Sequence, residues 1–167
     1  ARALAAALAR RRVAPNAISA ASLGCAVGAG AAFAVHAHGG PAWQAAWLVA
    51  AAVGIQLRLL CNLLDGMVAV EGGLRTPTGE LWNELPDRIA DVAIIVGVGY
   101  GLPQLPPAVE LAWGAAAVAL LTAYVRALGQ QAGAPAAFHG PMAKPHRMAL
   151  LTAAALAAAA PAAWPWA

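Results

Sequence analysis

Six of the seven acidic residues in this 167-residue chain lie between Cys61 and Asp91, in CNLLDGMVAVEGGLRTPTGELWNELPDRIAD: Asp65, Glu71, Glu80, Glu84, Asp87 and Asp91. Apolar runs long enough to cross a bilayer flank this segment. A carboxylate beside hydrocarbon costs roughly 2.5–3.5 kcal/mol even on the mildest insertion scale. Such a concentration therefore points to a cation site, a proton path or a set of buried ion pairs. Helical spacing sorts the polar residues: Asn62, Asp65 and Ala69 stand at i, i+3 and i+7, and Glu80, Asn83, Glu84, Asp87 and Asp91 at i, i+3, i+4, i+7 and i+11. The connection from Glu71 to Thr78 is short, so the two faces belong to antiparallel neighbours and converge. Oxygen donors from Asp and Asn suit hard cations such as Mg2+, Mn2+ or Ca2+. Gly66 and Gly79 leave the backbone open beside them, where a phosphate can approach.

The elements that position these residues follow from composition. The chain is 62% hydrophobic and 10% charged, whereas a soluble domain carries about 25% charged residues. It cannot cover a water-facing surface, and an all-α polytopic membrane bundle forming a single domain is expected. Five apolar runs are marked out by their breakers: Ile18 to His36, Ala42 to Ala69, Glu80 to Leu102, Ala108 to Leu128, and Arg147 to Ala163. Each approaches the ~20 residues that span a bilayer core. None alternates with period two, and lipid leaves the backbone no other partners, so each is read as a helix. Asn16 or Ser19 is available to cap the first, and Gly24, Gly28 and Gly30 would let its neighbours approach closely. Arg10 to Arg12, Arg75, Lys144 and Arg147 all fall on loops of one side, while Ala37 to Pro41 and Pro103 to Pro107 carry no Lys or Arg. The positive-inside rule then puts the N-terminus and the acidic segment in the cytoplasm. Arg2 to Val13 reads as an amphipathic helix on that leaflet.

The remaining residue types exclude other chemistries. Basic residues are scattered singly apart from Arg10 to Arg12, so a net charge of +3 is no nucleic-acid signal. Cys25 and Cys61 have neither metal nor disulfide spacing and read as packing residues. No cleavage site precedes the first apolar run, so no signal peptide is expected. His36, His38, His139 and His146 do not form a ligand set. Trp43, Trp47, Trp113, Trp164 and Trp166 fit an interfacial belt on the far side; Trp82 falls inside the acidic segment and reads as core or lipid-facing packing.

The segment resembles the signature of the CDP-alcohol phosphotransferases, D-x2-D-G-x2-A-R-x8-G-x3-D-x3-D. Here the eight positions read Asn62, Asp65, Gly66, Ala69, Val70, Gly79, Asn83 and Asp87, all at the required spacing and five with the expected identity. The layout is similar too: a surface helix, a Pro15-Asn16 turn before the first span, and the signature across the second and third. The resemblance implies six membrane helices around a polar cavity open to the cytoplasm, most often in a homodimer in the bacterial inner membrane. It implies transfer of a phosphatidyl or related group from a CDP-linked donor, such as CDP-diacylglycerol, to an alcohol acceptor, with release of CMP. By position, Asn62, Asp65, Asn83 and Asp87 would hold two divalent cations, Mg2+ or Mn2+, and Asp87 would be the catalytic base. Asn62, Asp65, Gly66, Ala69 and Gly79 would line the nucleotide site.

The departures define what is open. Asparagine replaces aspartate at Asn62 and Asn83, and Val70 replaces the signature arginine. Two carboxylates bring a formal charge of −2 where four bring −4, and a neutral amide is a weaker cation ligand. Glu80, Glu84 or Glu71 can restore charge, and Glu80 or Glu84, on the side of Asp87, is expected to join the site. Arg58, one turn before Asn62, either contacts a phosphate or neutralises Asp91 or Glu84. Arg88 is expected in an ion pair or at the surface. Arg126, Lys144 and Arg147 suit an anionic acceptor, although the positive-inside rule alone would place them there. The competing readings are a CDP-lipid-binding or assembly subunit without turnover, a CDP-lipid hydrolase, and a small transporter using the carboxylates as a cation path.

Overall fold

The computed structural model describes residues 1–73, 78–134 and 143–163; the side chains of Glu71, Glu80 and Asn83 also lie outside the described set. Among the described residues the chain forms six α-helices and a short 3-10 turn, with no strand. They are α1 (Arg2–Arg10), α2 (Pro15–Val35), the turn His36–His38, α3 (Pro41–Glu71), α4 (Gly79–Tyr100), α5 (Ala108–Gln131) and α6 (Lys144–Ala163). Pro15 and Pro41 each open a helix, where their fixed φ suits the first turn and the missing N–H is not needed. α2 begins three residues earlier than the apolar run implied. Its N-cap is Ala14 without a side-chain bond, so neither Asn16 nor Ser19 caps it. Ser19 is used elsewhere.

α2 lies between α3 and α4, α6 packs on α3, α5 packs on α4, and α1 lies against α3. The core is built largely from alanine: Ala26, Ala29, Ala32, Ala51, Ala52, Ala90, Ala155 and Ala159, filled out by Phe33, Ile55, Ile94 and Met148. Small side chains let helix axes come close where lipid offers no hydrophobic gain for association. The closest crossing joins α2 and α4. A Cβ on Gly30 would run into the carbonyl of Ala93, and one on Gly97 into the backbone of Gly30. Gly54 plays the same part between α3 and α2, where a Cβ would stand 2.9 Å from that of Ala29. Of the glycines marked in α2, only Gly30 has this role; Gly24 and Gly28 face open space.

Three helices, Pro15–His38, Pro41–Val70 and Ala108–Gln131, are long and apolar enough to cross a membrane. α4 and α6 form where expected but carry charges, including Glu84, Asp87, Arg88 and Asp91 in the first thirteen residues of α4 and Lys144 and Arg147 in the first turn of α6. Asp87, Asp91, Lys144 and Arg147 pair with one another or with Arg58, and Glu84 and Arg88 pair with each other. Large apolar side chains stand exposed around the bundle, among them Val53, Leu57, Leu111, Val118, Leu121 and Val125, as a lipid-facing surface requires. At the N-terminus, Ala5 of α1 is buried against Leu64 and Val68 of α3 and Ile18 of α2, so the surface helix is docked on the bundle.

Trp43 and Trp47 make an edge-to-face pair with centroids 5.4 Å apart, at the end of α3 remote from the acidic segment. Trp164, Trp166, Arg75 and His139 lie outside the described residues.

Candidate functional site

Four helices bring polar side chains to one place, each through its own period. α3 presents Arg58, Asn62 and Asp65 at i, i+4 and i+7. α4 presents Asp87 and Asp91 at i and i+4, α6 Lys144 and Arg147 at i and i+3, and α2 Ser19 and Ser22 at i and i+3. The two polar faces converge as expected, with Asn62 Nδ2 standing 2.6 Å from Asp87 Oδ1. But α3 and α4 are not the packed neighbours that the short connection implied: α2 packs against both and lies between them, so they meet through these side chains.

The cluster has two halves of different chemistry. In the first, Ser19 donates to Asp65 Oδ2 at 2.7 Å, and Ser22 donates to Asn62 Oδ1 at 2.5 Å. Asp65 is 6% exposed and belongs to no ion pair among the described residues. In the second half every carboxylate has cationic partners. Lys144 Nζ donates to Asp87 Oδ2, and Arg58 Nη2 stands 3.3 Å from Asp87 Oδ1 and 2.6 Å from Asp91 Oδ1. Arg147 Nη2 meets Asp91 Oδ2 at 2.7 Å. Three aspartates and three basic residues thus balance in charge. Burying such ions demands this pairing, since removing one partner strands the other. Arg58 is fully buried and bonds through Nη2 alone; its Nε and Nη1 make no hydrogen bond among the described residues.

The expected site residues distribute as follows. Arg58, Asn62, Asp65, Asp87, Lys144 and Arg147 come together. Arg58 takes the pairing alternative with Asp91 and touches Asp87 as well. Glu84 does not join: it is half exposed and pairs with Arg88 one turn on, Oε2 to Nη2 at 2.7 Å. Residue i+4 along the helix is nearer to it than the cavity. Arg126 lies partly buried on α5, outside the ion pairs just described. Gly66 faces open space and Ala69 is half buried. Glu80 and Asn83 fall outside the described side chains. Trp82 is 45% exposed, as packing on lipid requires. Sequence reasoning missed Ser19 and Ser22. The signal was present as two hydroxyls one turn apart in an otherwise apolar helix, but serine is common in such helices and the partners lie 46 and 40 residues away.

These placements bear on the divalent cations that the signature implies. No group of three or more His, Cys, Asp or Glu side chains gathers among the described residues. Both oxygens of Asp87 already face cationic or amide donors, and both polar atoms of Asn62 are engaged within the protein. As placed, the residues do not fit a pair of divalent cations. Asp65 keeps the character of an oxygen ligand, with the neutral Ser19 hydroxyl and no cationic side chain paired with it among the described residues.

Comparison with known proteins agrees with the architecture. The family model described as CDP-alcohol phosphatidyltransferase matches residues 12–167. The chain belongs to that family. Two crystal structures of Mycobacterium tuberculosis phosphatidylinositol phosphate synthase (PgsA1) resemble this chain. The structure with CDP-DAG bound aligns with TM-score 0.73 and 20% identity over 97% of this chain and 87% of that one. The complex with manganese and citrate aligns with TM-score 0.71 and 20% identity over 96% and 82%. At that identity the likeness establishes the shared fold. Among curated proteins compared by sequence, none matches this chain.

Proposed function

We propose that this family member transfers a phosphatidyl group from CDP-diacylglycerol to the hydroxyl of an anionic alcohol, releasing CMP, at the cytoplasmic face of a bacterial inner membrane. The observation that carries the reading is the joining of the two signature halves: Asn62 of α3 donates to Asp87 of α4 beside Lys144, with Asp65 one turn further along α3. The bound neighbour, PgsA1 with CDP-DAG, supports the choice of donor.

In this reading Gly66, Ala69 and Gly79 pass close to the nucleotide, and Asp65 faces the pyrophosphate. Asp65 is the residue that would hold a divalent cation, Mg2+ or Mn2+, and what the cation would supply is neutralisation of the pyrophosphate charge. Asp87 accepts the proton of the acceptor hydroxyl. That oxygen attacks the β-phosphorus, the new P–O bond forms, the anhydride bond to the α-phosphate breaks, and CMP leaves. Asn62 orients Asp87 through its amide hydrogen, and Lys144 fixes the other carboxylate oxygen. Arg58 retains donors that an anion can take. Arg147 and Arg126 are the basic residues assigned to the acceptor's phosphate, in a homodimer surrounded by membrane lipid.

The test is CMP release by the purified chain from CDP-diacylglycerol with Mg2+ or Mn2+ and a panel of phosphorylated and simple alcohols. Release that depends on an alcohol, and falls at least 100-fold in Asp87→Asn, supports the transferase. Release with water alone supports the hydrolase. Binding of CDP without release from any acceptor supports a non-catalytic subunit, a reading favoured by the cations packed on Asp87.

A further inference from the structure

The two signature carboxylates are not equivalent, and the difference lies in what already stands against them. Asp65 accepts from a neutral hydroxyl, Ser19, and from no cationic side chain among the described residues. Asp87 has Lys144 on one oxygen and Arg58 with the Asn62 amide on the other. A dication brought to Asp87 would have to displace the ammonium and then stand beside a guanidinium that is fully buried and held by Asp91. A dication brought to Asp65 meets neither obstacle.

Asn62 reinforces the asymmetry. A carboxylate at that position would be repelled by Asp87 and would need a cation between them. The amide instead donates to Asp87 at 2.6 Å and accepts from Ser22 at 2.5 Å, so the contact that a shared cation would mediate is made directly. Lys144 has the complementary property. It is the first residue of α6, 57 positions from Asp87 in sequence, and its ammonium is a compact point charge that pairs with a phosphate oxygen as readily as with a carboxylate. The loss of anionic ligands at Asn62 and the presence of a protein cation at Asp87 are thus two sides of one arrangement.

We infer that this chain binds one divalent cation, at Asp65, and that the Lys144 ammonium occupies the place of a second at Asp87, where it meets the phosphate of the bound nucleotide lipid. This rests on the transferase reading for its ligand. The cation and Lys144 then act on the same phosphates from opposite halves of the cluster, one exchangeable and one covalently part of α6.

The experiment counts manganese on the detergent-purified full chain in the presence of saturating CDP, by equilibrium dialysis with electron paramagnetic resonance of free Mn2+, and measures CDP affinity on the same samples. One Mn2+ per chain is expected, falling to none in Asp65→Asn. In Asn62→Asp with Asn83→Asp the count stays at one while Lys144 is present and rises to two when Lys144→Met is added. Lys144→Met alone weakens CDP binding at least 10-fold with the count still at one; Lys144→Arg, which keeps the charge, recovers most of that affinity. Two Mn2+ on the unaltered chain, or two on the double aspartate variant with Lys144 intact, overturns the inference while leaving the nucleotide reading standing. CDP bound with no Mn2+ does the same. Neither CDP nor Mn2+ bound overturns both readings together.

Discussion

The same three helices are joined in two ways along their length. Toward the signature, α2, α3 and α4 meet through ions and hydrogen bonds: Ser19 with Asp65, Ser22 with Asn62, and Arg58 with Asp87 and Asp91. In the other half, α2 and α4 meet backbone to backbone at Gly30, Ala93 and Gly97, and α3 closes on α2 at Gly54. One contact is made by what the side chains carry, the other by their absence. The glycine crossing is apolar, tolerates no added atom and serves only to hold the helices. The ionic end gathers three carboxylates, and buried ion pairs are weak evidence for stability, so its composition fits the transfer proposed above better than it fits folding alone. The rigid crossing sets the distance at which the polar faces stand.

Substitutions at the two ends should therefore separate stability from activity. The largest loss is expected for Arg58→Ala, which leaves Asp91 to Arg147 alone and removes one of the partners of Asp87; about 3 kcal/mol of destabilisation, the low end for breaking a buried pair on one side, follows, read as a lower unfolding temperature in detergent. An unchanged unfolding temperature would mean that Asp91 is not held by Arg58. Next comes Gly97→Ala at the crossing, where the methyl must push α2 away. Overpacking of this kind costs about 1–3 kcal/mol, and turnover should fall with stability because the polar faces move apart. Retained stability with the full activity would refute the close approach. Asp65→Ala is expected to change stability by about 1 kcal/mol, the scale of one lost hydrogen bond, yet to abolish CDP binding. If CDP binds unchanged, Asp65 is not in the site. Smallest is Glu84→Gln, whose exposed pair with Arg88 contributes under about 1 kcal/mol; CMP release should be unaltered, and a large drop would return Glu84 to the cation site.

Much of this arrangement was legible in the sequence because it depends on local periodicity. The apolar runs and their proline breakers located the five long helices to within a few residues, and the arginines before Pro15 marked α1. The spacing of Asn62, Asp65 and Asp87 predicted one polar face on each of two helices, and these faces converge through side chains; the short 71–78 connection also implied that the helices pack as neighbours, whereas α2 lies between them. The reading failed where the local pattern was ambiguous. Ser19 looked like a cap and is instead a donor to Asp65. Gly24 and Gly28 looked like close-packing residues and face outward, because nothing in the run says which of three glycines points at α4. Glu84 shares a helix face with Asp87, yet its carboxylate is captured by Arg88.

By itself the sequence determined the helical membrane architecture, the family, and the identities of the groups that meet at the signature, since each follows from composition and spacing within one or two neighbouring elements. Only the tertiary structure decided how those groups are partnered. Lys144 and Arg147 lie 57 and 56 residues from Asp87 and Asp91, and their attraction to one carboxylate over another depends on how α6 packs on α3, which no pattern along the chain encodes. The physical reason is that charge has no periodicity of its own. A lysine and an aspartate attract at any sequence separation, and the packed helices alone select which pair is brought within reach.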